Sequence, residues 1–494
     1  MTAPFAHPPP ADRANRAVAG QSSSGRKAGT MAAALSPALL AGVTAFFCML
    51  PYPAYAIGNA TALQIGNVCV MAACLPLLSR SWHGRTFHVY LVLLAPLVLS
   101  SLVAAMSGSS QASLSLKCTV VWAVSLLALT FVQLYGRDYA LQMLVGIAAA
   151  TLLHAVVGVW QIWAFSRDYF PLVSMYVNPS FLSVQENAET IARWTKRPFG
   201  LFPEPSAMSA SLSPWLLIWI ALLAGLLRLR QPLANAHRLL FAAAAAGALV
   251  LMIASRSGQT AVTTLATLAL CGLWLIRARA TPRTFGLVMV AFGVVLPIVL
   301  WFAAQSVADR LGGVRLGNSS WEERASSIVA AAGMFAAGDM KTLLIGFGPG
   351  LTSFAVTQAR GLEALWSITL SYAFDTGFVG ITALVWLGSL LLRNWLKVRA
   401  EPTFALVAAV WTVGATLTTS YEQLLPLWLA LGWLTVWPEV FQPALTIPEL
   451  RAVRKPVVAR RYGVAGVRTS PWRALLPATE SAGLSGSRVK ARRR

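Results

Sequence analysis

Arg256 stands in Ala254-Ser255-Arg256-Ser257-Gly258-Gln259, a turn too short to be more than a tight connection between two apolar runs. A guanidinium there can hold an anion, because it is always charged, planar and offers paired donors. Ser255 and Ser257 add hydroxyls, and Ser257-Gly258 opens the next run, where backbone N–H groups favour negative charge. Arg197-Pro198-Phe199-Gly200-Leu201-Phe202-Pro203-Glu204-Pro205-Ser206 is a second chemical segment. Its prolines and glycine fix the backbone, and Glu204 falls at the positive end of the following helix. Arg324 ends Trp321-Glu322-Glu323-Arg324, and Gly346-Phe347-Gly348-Pro349-Gly350 follows it. The glycines permit positive φ and close backbone approach, without the lysine of a Walker loop. Asp375 lies inside an apolar run, where an acid faces a bundle interior or a wet cavity. His154 is a second interior ionisable group, read as a hydrogen-bonded core histidine. Glu422, in Ser420-Tyr421-Glu422-Gln423, is a cap or loop charge at the start of the last apolar run.

These residues need a frame, and composition dictates it. Hydrophobic residues make up 57% of the 494, and charged ones 11%. Apolar runs of about 18 to 22 residues recur, long enough for a ~30 Å hydrocarbon core. The expected fold is all-α: a polytopic transmembrane helical bundle rather than a membrane barrel. Spans are expected near 33–55, 60–79, 87–106, 113–134, 140–164, 207–227, 239–254, 258–276, 284–304, 364–392, 402–419 and 423–440, twelve in all. Ala54-Tyr55-Ala56 has the small-x-small form of a signal-peptidase site, but the charged stretch before it is long for a leader. The first span is therefore expected as an uncleaved anchor.

The net charge of +22 follows topology rather than forming a nucleic-acid groove. Lys and Arg gather in the first 30 residues, in alternate short turns and after residue 443, so both termini are expected in the cytoplasm. Residues 1–30 and 444–494 read as disordered basic tails, the second drawn to anionic headgroups. The bundle is expected over 31–443, with long outer loops at 165–206 and 305–363. Long loops translocate whatever their charge, but the short Arg256 turn faces outward against the bias. A short helical pattern, 326–335, is expected to lie on the membrane surface or cap the bundle. The five cysteines sit in apolar runs with neither metal spacing nor a disulfide pattern.

The four segments, in this order, resemble the O-antigen ligase/polymerase superfamily, the Wzy-type membrane glycosyltransferases, over roughly 195–392. Gly200-Leu201-Phe202-x-Glu204-Pro205-Ser206 looks like the segment before the family's core. Ser255-Arg256-Ser257-Gly258 is similar to its Ser-Arg-[Ser/Thr]-Gly turn. Arg324 with Gly346-x-Gly348-x-Gly350 is similar to the second periplasmic loop. Phe374-Asp375-Thr376-Gly377-Phe378-Val379-Gly380 resembles its acid-x-Gly-[aliphatic]-[aliphatic]-Gly signature. The family's ligases place His-Asn or His-Ser where this chain has Trp366-Ser367. That departure favours the polymerase branch.

The resemblance implies a GT-C-like protein of the bacterial inner membrane. It implies transfer of a polyprenyl-diphosphate-linked glycan to an acceptor sugar hydroxyl at the periplasmic face, without metal or cofactor. A chain-length regulator and a flippase are the implied protein partners. On this reading Arg256 and Arg324 clamp the diphosphate, with Arg197 a third cation, and Glu204 and Asp375 are candidate weak bases. Ser255, Ser257, Gly258, the three loop glycines and Glu422 would contact substrate. The alternatives are a ligase acting on lipid A-core or another acceptor, and a non-enzyme flippase for lipid-linked oligosaccharide. A flippase would spread its charges through both leaflets, whereas here they cluster toward one face.

Overall fold

The computed structural model describes residues 36–52, 54–56, 62–78, 87–108, 110–171, 196–278, 320–360, 365, 367–398, 401–418 and 423–443. The expected span at 284–304, both tails and Glu422 lie outside these residues. The described chain is all-α apart from two small two-stranded sheets. Helix α1 (Pro37–Cys48) leads into β1 (Ala54–Ala56) and β2 (Ala62–Gln64), an antiparallel pair. Then come α2 (Ile65–Leu78), α3 (His88–Met106) and α4 (Ala112–Phe165). Helix α5 (Pro205–Leu223) is followed by β3 (Leu227–Leu229), α6 (Asn235–Ser255) and α7 (Gly258–Ala278). Three shorter helices follow: α8 (Ser320–Ala336), α9 (Met340–Ile345) and α10 (Leu351–Arg360). The chain closes with α11 (Ile368–Lys397), α12 (Pro402–Val413) running into a π turn at Gly414–Thr418, and α13 (Leu425–Val440). Strand β4 (Phe441–Pro443) pairs with β3. Among the described residues, α3, α4, α5, α6 and α11 are long and apolar enough to cross a membrane.

Local chemistry sets several ends. Ser36 accepts from the Leu39 N–H at 3.3 Å and Pro37 takes the first helical position, where no donor is needed. Helix α1 stops at Cys48, ahead of Pro51 and Pro53, so the expected span 33–55 is shorter and its last residues form a strand. Glu401 caps α12 through the Phe404 N–H at 3.0 Å, with Pro402 behind it. The five residues expected to finish that span are wound as a π turn instead. Asp339 caps α9, and its bonds from Thr342 hold its carboxyl below the ordinary carboxylate value.

Helix α4 is two helices. Its hydrogen bonding runs on, but Tyr139 leaves helical geometry (φ −123°, ψ 27°). The first half runs alongside α13: Trp122 meets Trp428 at 5.4 Å between ring centroids, and Val132 meets Gly432. The second half runs alongside α1: Gly146 crosses Gly42 so closely that a β-carbon would strike the Gly42 carbonyl, and His154 bonds Met49. Yet the end of α1 and the start of α13 touch, at Phe47, Gly66 and Leu425. In a straight helix Trp122 and His154 would lie about 48 Å apart at ~1.5 Å per residue. The halves therefore fold back on one another, at the place where two spans, 113–134 and 140–164, are expected.

Helix α11 breaks too, at Gly377 (φ 63°, ψ −154°). At the break Asp375 meets Ser100, and beyond it Trp386 meets His88, so the second part lies antiparallel to α3. Before it, Ile368 and Tyr372 line the same cleft as Leu384 and Leu387. An unbroken helix would hold Ile368 about 28 Å from Leu387. The sequence pattern, 364–392 as one span, did not reveal this turn. Over it sit α8 and α10, joined to α11 by a small apolar cluster of Ala331, Val356 and Leu365 with Leu370 and Phe374.

Candidate functional site

The segment before α5 is clamped from α4. Gln161 accepts from the Phe199 and Gly200 N–H groups (2.9 and 2.8 Å) and returns a bond to the Gly200 carbonyl (2.9 Å). His154 accepts from the Leu201 N–H through Nδ1 (3.1 Å) and bonds Met49 O through Nε2 (2.8 Å), its ring stacked on Phe202. An acceptor role at Nδ1 and a carbonyl at Nε2 make this the neutral Nε2–H tautomer. His154 is thus an interior hydrogen-bonding histidine. Gln161 is buried among apolar neighbours; its spacing of seven from His154 puts both on one helix face, which is the sequence signal for this pair. The clamp fixes Glu204 as the N-cap of α5, buried, with the Ser206 hydroxyl donating to its carboxylate. Arg197 lies at the start of the clamped segment, half-buried.

At the fifth residue of α5, Ser209 shares a hydrogen bond with Ser255 (3.0 Å), which also donates to Met252 O (2.7 Å). Ser255 is therefore fully buried and ties the end of α6 to α5. The chain turns through Arg256 in the left-handed region (φ 49°, ψ 34°). Its N–H bonds Ile253 O at 3.2 Å, while its side chain is exposed and, among the described residues, unpaired. Helix α7 starts two residues on, so the N–H groups of Ser257, Gly258 and Gln259 have no carbonyl a turn earlier to bond. Space around Gly258 is open. An exposed guanidinium thus stands beside the open positive end of a helix.

Gln259 reaches the other way and donates to Val410 O at 2.9 Å, next to Gly414. One turn further along, Leu417 O accepts from Arg324 Nη1 at 3.1 Å. The π turn thus links the Arg256 turn to Arg324 at the start of α8. At about 1.5 Å per residue, Val410 and Leu417 are roughly 10 Å apart. The structure brings together the α5 start, the α6–α7 turn, the π turn and Arg324 at one end of the bundle.

Asp375 and the loop glycines belong together, but in a clasp of their own. The Asp375 carboxylate accepts from the Gly350 N–H (2.8 Å) and the Thr352 N–H (3.1 Å), capping α10. Its carbonyl accepts from the Gly348 N–H (3.0 Å) and the Ser100 hydroxyl (2.6 Å). Gly346 N–H bonds Thr342 O. All three glycine N–H groups are thereby engaged inside the protein, and substrate cannot use them while the clasp holds. Gly346 (φ 87°, ψ −176°) and Gly377 share a backbone region that is essentially glycine's alone. They face each other so closely that a β-carbon on Gly377 would come within 2.6 Å of the Gly346 nitrogen. Helix α8 spans from the cation end to this clasp, Phe335 packing on Phe347 and Phe374.

The chain matches no family model, and no curated protein matches it either.

Proposed function

We propose that the protein is a membrane polysaccharide polymerase, transferring a polyprenyl-diphosphate-linked glycan to an acceptor sugar hydroxyl. The supporting observation is the placing of Arg256, beside the open end of α7, and Arg324 on the same π-turn segment, the one through its neighbour Gln259 and the other through Leu417. In the full reading twelve spans in a GT-C-like arrangement carry both termini in the cytoplasm. The site then faces the periplasm of a bacterial inner membrane, in O-antigen, capsule or exopolysaccharide synthesis.

The acceptor oxygen attacks the anomeric carbon. The bond from that carbon to the diphosphate oxygen breaks, and the polyprenyl diphosphate leaves with the electron pair. Its growing charge is met by Arg256, by the N–H groups of Ser257, Gly258 and Gln259, and by Arg324. Glu204, near the acceptor path at the start of α5, takes the hydroxyl proton. Asp375 is a positioning residue in this scheme, because its carboxylate is held by two backbone donors. The test is to incubate purified protein with a defined polyprenyl-diphosphate oligosaccharide and look for a ladder of longer chains. Translocation of the same lipid across vesicles without extension would overturn the enzyme reading in favour of a flippase.

A further inference from the structure

The ends of α5 and α6 farthest from Glu204 and Arg256 gather a second set of cations. In β3, Leu227 and Leu229 are buried, so Arg228 and then Arg230 turn outward. As alternate residues of an extended chain they stand about 7 Å apart on one face. Gln231 donates to Asp138 O at 3.2 Å, which draws the break in α4, with exposed Arg137, to the same place. Arg238 is exposed in the first turn of α6, a helix that starts with neither a side-chain cap nor an acid. Among the described residues, none of these four arginines has an ion pair or a side-chain hydrogen bond. The acids adjoining them are Asp138 and Glu439, both exposed. Directly beyond Arg238 the surface turns to hydrocarbon: Leu239 is 72% exposed, and Ala242, Ala243 and Ala246 carry an outward apolar face along α6. Because α6 is long and apolar enough to cross a membrane, the arginines lie where headgroups meet acyl chains.

We infer that this patch is a site for an anionic phospholipid of the surrounding bilayer, its phosphate held by Arg228, Arg230 and Arg238 and its acyl chains lying along α6. Guanidinium forks pair with phosphate oxygens, and basic clusters at the ends of membrane helices are suited to such headgroups. A free phosphate would use the arginines but not Leu239, whereas a lipid uses both. Topology asks only for basic residues in short turns. It does not ask that they be drawn together by a strand and a hydrogen bond and left without counter-charge. The site lies at the other end of the bundle from Arg256, so it is independent of the reaction proposed above.

The experiment passes the full chain, in mixed micelles holding equal amounts of phosphatidylglycerol and phosphatidylcholine, through gel filtration. Retained lipid is then quantified by mass spectrometry. Phosphatidylglycerol is expected to be kept at least about tenfold over phosphatidylcholine. Combining Arg228→Gln, Arg230→Gln and Arg238→Gln should erase that preference at unchanged melting temperature. Arg393→Gln with Lys397→Gln removes exposed cations from α11 and should leave the preference intact. In the unmutated chain, salt at about 0.5 M should weaken it as well, since screening then acts within a few ångströms. Equal retention of the two lipids overturns the inference. So does a preference that survives the triple variant, ignores salt, or falls as far with the α11 pair. Displacement of the lipid by millimolar inorganic phosphate would overturn the lipid assignment in favour of a soluble phosphate.

Discussion

At Arg256 the backbone turns left-handed under an L side chain, a conformation that costs about 1–2 kcal/mol and that glycine adopts freely. Its exposed side chain makes no hydrogen bond or ion pair among the described residues that would offset the strain. Arg256→Gly should therefore raise stability by roughly 1 kcal/mol, seen as a slightly higher melting temperature, while abolishing chain extension. A drop in melting temperature would mean that the arginine is there for the fold. Glu204→Gln keeps the size and the Ser206 contact but removes the basic oxygen. It should lower the maximal rate by about 10²-fold with little change in donor affinity. An equal effect on binding would assign Glu204 to the donor instead. The Arg256 turn, Glu204 and Asp375 were visible as residues from their types and settings alone. Their partners were not: Gln161 looks like a stray polar residue until the chain folds Phe199 and Gly200 onto it.

The elements that matter most are broken ones. Helix α11 reads as one span because apolar periodicity is blind to a single glycine, and the same glycine in a continuous helix would be merely tolerated. Only the apposition of Gly346 and Gly377 shows why both are needed. Gly377→Ala should destabilise by at least about 1–3 kcal/mol through strain, more if the Gly346 backbone cannot retreat. Gly388, in the same helix with nothing near a β-carbon, should accept alanine with a gain of up to about 1 kcal/mol. Thermal unfolding of the pair checks this, and equal tolerance at both positions would contradict the fold-back. Asp375→Ala leaves two backbone donors without their carboxylate. It should loosen the Gly346–Gly350 loop, measured as faster amide exchange at Gly350 and Thr352, and leave the Arg256 turn protected as before.

At the scale of the molecule, the all-α class and the positions of several long apolar helices were legible. Hydrophobic length is fixed by the bilayer, and α3, α5, α6 and α11 begin or end within a few residues of expectation. The π turn, the β1–β2 hairpin after Pro53 and the clasp were not legible, because each depends on what a distant segment brings against it. Topology gives a whole-molecule prediction. In a cysteine-free background, single cysteines replacing Arg256 and Ser326 should react with a membrane-impermeant maleimide in intact spheroplasts, and one replacing Arg393 should not. Labelling of all three, or of Arg393→Cys alone, would reverse or break the orientation on which the periplasmic site depends.

The most direct measurement is the extension rate of a synthetic polyprenyl-diphosphate oligosaccharide by the purified chain, compared with its Arg256→Lys variant. Lysine keeps the charge but loses the bidentate fork. The account predicts a product ladder with the arginine and a loss of about 10²-fold or more with lysine, at unchanged melting temperature. A variant that builds the same ladder at the same rate would contradict the diphosphate site at Arg256.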